Sequence, residues 1–466
     1  MQYSIVNYSY VLNLEDFRFD ADYYKPKYLA EDAQLDKFES ILLGDCAFVT
    51  DGQHGYHEVD ENSPILHLTA KNAKNWFADS VGADRLAKWV DDKNSRSSLQ
   101  EDDLILSTRG TVGYCALVKK DVLPANIDQD VARIAIDKDI LIPEYVLTFL
   151  NCTFGQDWLQ RNTTGMVQQG LSLKKVRECP LPILDKSFQE CIRGTVVAAY
   201  NAINESDNLF KKSQTVLLSE LGLSNWQTKH QLSFVRNYSE TDKAGRIDAE
   251  YFQPKYDEIV KAIKSYPGGY SSVGKEFKQN KSVFKPTAAQ TYQYVEIGSI
   301  NVATGEISVS DIIGAELPDN AKRVLRKDDV IVSKVRTYRG AMAVVDQDGL
   351  IGSGAFTVLR ENGQINKETL LTFLRSKPLL LWSLKPNTGT SYPVILDDDI
   401  LNLPIPLFSE ETQHKVKQRI TESFNLRKQS KHLLECAKRA VEIAIEQNED
   451  AAIKWLQEQT KEVGSA

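Results

Sequence analysis

Two acidic pairs, Asp102-Asp103 and Asp328-Asp329, are the carboxylates whose spacing could hold a divalent metal. Each pair stands directly before a short apolar run, where acidic residues commonly close a turn, and the turn is the reading adopted. His54, His57 and His67 crowd together, but no cysteine lies at zinc-finger spacing from them. They read as surface or core histidines, and no metal site is assigned. The six cysteines, Cys46, Cys115, Cys152, Cys179, Cys191 and Cys436, contain no CxxC pair and read as buried, reduced thiols. No GxxxxGK[ST] loop for nucleotide phosphates is present, and no Asn-Pro-Pro-Tyr-type tetrapeptide of the kind that holds a flipped adenine. No glycine-rich strand-to-helix turn suggests S-adenosylmethionine. Neither a catalytic residue nor a cofactor is assigned.

What the chain does offer is chemistry for gripping phosphates and reading bases. Residues 319–340 carry Lys322, Arg323, Arg326, Lys327, Lys334, Arg336 and Arg339 against three aspartates, with Tyr338 inside the run. The corresponding stretch of the first half offers Arg85, Lys88, Lys93, Arg96 and Arg109. An arginine can clasp a phosphate or make a bidentate pair with guanine in the major groove. A charged loop can also be nothing more than a solvated one; its occurrence twice favours DNA. A second pair of loops, Asn162–Gly170 and Asn387–Tyr392, is rich in glycine and short polar side chains. Gln168 and Gln169 suit adenine, and Ser391 and Tyr392 suit a base or a phosphate. Equally, Gly165 and Gly389 can serve only to turn the chain with φ > 0.

The elements that must position these loops come in duplicate. Asp20–Tyr28 (DADYYKPKY) recurs as Asp248–Tyr256 (DAEYFQPKY), and Leu99–Ser107 (LQEDDLILS) as Leu325–Ser333 (LRKDDVIVS). Thr148-Phe149-Leu150, Trp158, Thr164-Gly165 and Pro180-Leu181-Pro182 recur at one constant offset as Thr372-Phe373-Leu374, Trp382, Thr388-Gly389 and Pro404-Ile405-Pro406. Chance similarity does not hold register over so many motifs, so the chain is a tandem duplication. In each half a tyrosine-rich opening leads to short apolar runs of strand length, a helical patch, and a proline-marked boundary.

Past each boundary the period changes. Phe188, Ile192, Val196, Ala199, Ile203, Phe210, Leu217 and Leu221 recur at spacings of three, four and seven through a stretch without proline. That pattern predicts a long amphipathic helix with a coiled-coil-like seam, about 54 Å long if it spans residues 186–221. Asp185 or Ser187 is placed to cap its start and Gly222 to end it. Residues 410–458 repeat the seam with Val416, Ile420, Phe424, Leu434, Val441 and Ile445. Either helix can pair with another protein. Two matching seams in one chain favour antiparallel pairing with each other.

The whole-chain properties agree with a globular protein: 466 residues, 42% hydrophobic and 26% charged. The opening MQYSIVNYSY has neither a basic stretch nor an apolar core, so no signal peptide is expected. Nor is there an apolar run of the ~18 residues that a membrane span requires. A cytoplasmic location, without membrane contact, is expected. The net charge of −8 does not advertise nucleic-acid binding, although a local basic face can bind phosphates on an acidic protein.

In their duplicated order, Asp-Ala-(Asp/Glu)-Tyr-(Tyr/Phe)-x-Pro-Lys-Tyr, Asp-Asp-(Leu/Val)-Ile-(Leu/Val)-Ser and Pro-(Leu/Ile)-Pro before a long helix resemble the specificity subunits of type I restriction-modification enzymes. The resemblance covers nearly the whole chain. It implies an α+β protein with two mixed α/β target-recognition domains in tandem, each followed by a long helix, the helices pairing as an antiparallel coiled coil. The expected boundaries are 1–185 and 223–408 for the recognition domains, 186–222 for the first helix, and 409–466 for the second helix with its tail. The resemblance further implies a non-catalytic reader of double-stranded DNA. Each domain would read half of a bipartite target, while the helices set the gap and dock two modification (methyltransferase) subunits, with restriction (translocase/nuclease) subunits as additional partners. Two other readings stay open: a duplicated scaffold that binds proteins, and a methyltransferase or nuclease with unrecognised catalytic residues.

Overall fold

The computed structural model describes residues 4–8, 11, 18–55, 57–165, 170–389 and 392–461. It divides into two compact units, residues 1–203 with 427–466, and residues 204–426. Neither unit is one half of the sequence: each takes part of both long helices.

In the first unit, Ser40–Leu42 pairs antiparallel with Pro180–Pro182. The flanking bonds, Leu43 N–H to the Cys179 carbonyl at 2.9 Å and Ile183 N–H to that of Glu39 at 2.7 Å, set the alternation of the ladder. Both prolines thereby fall at positions where no N–H is needed. The expected proline stop is thus a closing strand, of the two-stranded kind in which proline is tolerated. A four-stranded antiparallel sheet runs in the order Ala47–Asp51, Val131–Ile136, Leu104–Ser107, Cys115–Leu117. Beside it, Asp84–Arg85, Leu66–Leu68 and Ala125–Ile127 form a smaller mixed sheet. Helices Pro143–Asn151 and Thr153–Arg161 belong to the same core through Tyr145, Phe149, Leu150 and Leu159. Five of the six cysteines are buried and Cys191 is half-buried, all of them free.

The second unit repeats the plan. Tyr270–Ser272 pairs with Pro404–Pro406. The four-stranded antiparallel sheet is Phe277–Gln279, Phe356–Glu361, Val330–Ser333, Met342–Val344. The second, mixed sheet gains a strand: Ser310–Ile313, Thr291–Val295, Ile351–Ser353, Ala321–Val324.

The first long helix, α1, spans Lys186–Glu220, and the second, α2, spans Glu410–Glu446. In the first unit Phe188, Ile192, Val196 and Ala199 of α1 share a core with Leu434, Ala437, Val441 and Ala444 of α2. In the second unit Leu217 and Leu221 share one with Val416 and Ile420, and the Ser206 and Ser423 hydroxyls lie 2.8 Å apart. The start of α1 thus meets the end of α2, and the end of α1 meets the start of α2. The helices pair antiparallel within the chain. Each buried Phe, Leu or Ile on the seam contributes about 1.5–3 kcal/mol.

The helix α1 starts after Asp185, leaving Ser187 inside it. Its end is a Schellman turn: Leu223 N–H donates to the Leu218 carbonyl at 2.8 Å and Gly222 N–H to that of Ser219 at 3.1 Å. Gly222 has φ +66°, which a Cβ penalises. Gly222→Ala should cost about 1 kcal/mol, measured by urea denaturation. The second seam departs from expectation. It is not continuous to residue 458, because α2 ends at Glu446 and a separate helix, α3, spans Glu449–Lys461. Asn448 accepts from the Ala451 N–H at 2.9 Å, an N-cap that starts a new helix where the apolar spacing alone would continue the old one. Ala452 and Leu456 of α3 return to the first unit's core.

Candidate nucleic-acid interface

The two loops singled out in each half are stitched together. In the first unit, Thr164 and Gly170 exchange two backbone hydrogen bonds of 2.9 Å, closing the loop between them. Gly170 also bridges to Arg109, and Leu171 N–H donates to the Thr108 carbonyl at 2.8 Å. In the second unit Thr388 and Val394 close the equivalent loop with bonds of 3.0 and 3.1 Å. Val394 bridges to Val335, Ile395 N–H donates to the Lys334 carbonyl, and Arg336 N–H to that of Pro393, both at 2.9 Å. Gly165 and Gly389 have φ +103° and +85°, so each does turn the chain. In each unit the strand-to-strand loop is therefore joined by backbone bonds to the base of the polar loop. Gln168, Gln169 and Ser391 lie outside the described residues.

The assigned cations are placed unequally. Arg109 is exposed and only loosely paired, 3.5 Å from Asp130. Its register partner in the second unit is Val335, so the two loops match while their arginines do not. Lys334 is half-buried and pairs with Asp397 at 3.4 Å. Burial opposes the charge on Asp397, but the Thr357 hydroxyl and Lys334 hold its carboxyl below the usual range. Lys334 is thus engaged as an anchor beneath the loop. Arg336 is half-buried, with its guanidinium 5.5 Å from the centre of the Tyr392 ring, and Tyr392 is 61% exposed. Tyr338 and the exposed Arg339 lie on the turn Thr337–Arg339.

Lys322 is exposed and Arg323 half-buried, on strand Ala321–Val324. Arg96 matches Lys322 in sequence, three residues before Leu99 as Lys322 is before Leu325, but it lies in the turn Ser95–Ser97 rather than on a strand and pairs with Asp51 at 3.0 Å. Arg85 and Lys88 do not match this strand, and the expected correspondence fails for them. Asp84–Arg85 pairs as Ser310–Ile313 does, on the other side of the small sheet. Both residues are exposed, and the Arg85 guanidinium donates to the Ser63 carbonyl at 2.7 Å.

The acidic pairs are structural. Asp102 and Asp328 have φ +71° and +72°, left-handed turn positions. Asp103 lies buried 2.7 Å from Arg133 and accepts the Gln100 N–H, also at 2.7 Å. Asp329 repeats this with Arg360 at 2.8 and 3.0 Å and the Arg326 N–H at 3.0 Å. Among the described residues no group of three His, Cys, Asp or Glu side chains is placed to hold a metal ion.

His54 lies 2.7 Å from Asp51, and the His57 and His67 rings are 4.1 Å apart. Burial, reinforced by His57, pushes the His67 imidazole down to about 4. Between pH 6.5 and 4 the unfolded chain takes up a proton at His67 that the folded chain refuses, so stability is lost as pH falls. Burial pushes Asp128 up to about 6, which acts with the opposite sign over much of the same window. The readout is therefore a difference: a His67→Asn variant should lose about 3 kcal/mol less than the native chain between pH 7 and pH 4, by denaturant titration.

Two features escaped sequence reading. Arg18 and Arg246 stand two residues ahead of the tyrosine-rich motif, each paired at 2.7 Å with the motif's first aspartate, Asp20 or Asp248. Arg18 donates to the Arg161 carbonyl at 3.3 Å; Arg246 donates to those of Pro386 and Asn387 at 3.2 and 2.9 Å. The motif therefore clamps the stem of the closed polar loop, with Arg161 4.1 Å from the Tyr23 ring and Arg246 4.6 Å from that of Tyr251. Extending the repeat two residues upstream would have found both arginines. The second feature is the segment 280–285, which carries exposed Lys281 and Lys285. It runs beside strand Ala321–Val324, with Val283 bridged to Arg323 and Phe284 N–H donating to the Lys322 carbonyl at 3.0 Å.

No protein-family profile matches the chain. It is similar to the type I restriction enzyme EcoBI specificity subunit of Escherichia coli, 25% identical over 118 residues, a quarter of each chain. The resemblance read from the repeated motifs thus has an independent counterpart, which spans about a quarter of that relative's length. Solved structures aligned with the chain include the S subunit of a type I restriction-modification system from M. genitalium (12% identity, 90% of this chain and 96% of that one, TM-score 0.39). Another is the HsdS subunit from Thermoanaerobacter tengcongensis (13% identity, 88% and 97%, TM-score 0.28).

Proposed function

We propose that this chain is the DNA-specificity subunit of a type I restriction-modification complex. The observation that carries the reading is a strand-to-strand loop joined to the base of a polar loop, built twice at the same place in two units of one plan. Each unit reads one half of a bipartite double-stranded target. The paired helices α1 and α2 set the unread gap and dock two modification subunits, which carry the methyl donor and the active site. Restriction subunits, where they join, supply translocation and cleavage. The chain itself recognises and does not catalyse, in the cytoplasm and away from membranes; among the described residues no helix is long and apolar enough to cross one.

The test is methylome sequencing of cells that express the chain with a type I modification subunit, and with each omitted. The expected result is N6-methyladenine at one two-part motif with a fixed gap, only when both are present. Methylation that persists without this chain would overturn the reading. Salt separates DNA reading from a protein-binding scaffold. The complex's affinity for its motif should fall steeply with salt, with a log–log slope of about −0.9 for each phosphate neutralised, whereas an apolar protein interface responds far less.

A further inference from the structure

Arg336 is held in a conformation that its side chain makes costly. Its backbone is left-handed, with φ +48° and ψ +44°. Long L side chains rarely adopt this region, and residues kept there cluster at ligand-binding sites. The backbone is fixed on both sides, the Arg336 N–H donating to Pro393 and the Arg336 carbonyl accepting from the Arg339 N–H at 2.9 Å. The first unit shows what the loop needs for its own sake. Its matching residue is Gly110, φ +75°, where a Cβ would meet nothing within 4 Å. Glycine satisfies the turn at no cost, yet the second unit carries an arginine.

The side chain does not serve the loop either. Among the described residues no carboxylate pairs with Arg336, in contrast to Lys334 two residues earlier. Its contact is the exposed Tyr392 ring, contributed by the closed polar loop. An aromatic face restrains a guanidinium and leaves its planar fork of donors free.

We propose that Arg336 is the specificity-determining residue of the second unit and reads a guanine through the O6 and N7 edge, with Tyr392 as its positioning residue. This rests on the reading of the chain as a DNA-specificity subunit. Guanine is the base whose major-groove edge presents two acceptors at the spacing of the guanidinium fork. Loss of such a pair relaxes one base position by about ten- to a hundredfold.

The test is methylome sequencing of the complete complex carrying Arg336→Gly, Tyr392→Leu or Tyr392→Phe, with a thermal melt of each. Arg336→Gly should melt no lower than the native chain, because it relieves the backbone. It should also accept other bases at one guanine position of one half-site, with the other half and the gap unchanged. Tyr392→Leu should weaken discrimination at that same position without lowering the melt, and Tyr392→Phe should preserve it. An unchanged motif in Arg336→Gly, loss of the whole motif, or a lowered melt overturns the proposal and leaves the function standing. Absence of any two-part motif with the native chain overturns the function itself.

Discussion

Replacing residues 30–180 with the matching residues of a specificity subunit that has another target should change one half of the methylated motif. The other half and the gap should stay as they were. The exchanged segment contains both joined loops of the first unit, the one with Arg109 and the Asn162–Gly170 loop, and it excludes α1, α2 and the whole second unit. The strand pair across its end, Ser40–Leu42 with Pro180–Pro182, is held by backbone bonds that tolerate a change of side chains. Each base pair read wrongly costs about 1–3 kcal/mol, so two altered positions separate the old and new targets by about thirtyfold to ten-thousandfold. Methylome sequencing of the exchange reads the outcome. A change in both halves, or in the gap, would show that the units do not read independently.

The second large effect is on stability. Asp103→Ala should destabilise the first unit by about 3–5 kcal/mol, because it leaves the Arg133 guanidinium buried without its carboxylate. Both side chains are more than nine-tenths buried, and among the described residues Arg133 keeps its 2.9 Å bond to the Arg96 carbonyl. For a unit of this size the melting temperature should fall by about 10 °C. The double change Asp103→Leu with Arg133→Met should recover most of that loss, since no buried charge is then stranded. A single variant that melts like the native protein would mean that water reaches Arg133, and that the pair is not a core element.

Repetition makes much of this legible in the sequence. The doubled motifs located the paired loops, and the three-four-seven spacing located both helices and the Gly222 stop. What escaped depends on backbone geometry or on contacts distant in sequence. The partners of Arg18 and Arg246 include main-chain carbonyls, which every residue owns and no composition marks. The left-handed backbone at Arg336 leaves no trace in its own residue type; only Gly110 in the other half hints at it. The basic segment at 280–285 was hidden because the halves diverge there, so repetition gave no purchase. The Asn448 cap was readable as a residue, yet the apolar period ran through it, and period alone does not count helices. Arg85 and Lys88 were misplaced for a related reason. Strand order within the small sheet, not distance along the chain, decides which residues correspond.

The first unit is finished by residues 427–461, which follow more than two hundred residues after the rest of it. A ribosome adds about 5–20 residues per second, so the earlier part of this core emerges some tens of seconds before α3 and the end of α2 exist to cover it. The second unit, interior to the chain, waits for nothing beyond residue 426. The order of birth is therefore reversed in the order of completion. A stop codon near residue 430 would spare the domain made last and leave the domain made first without its lid, a nascent apolar face for chaperones to hold.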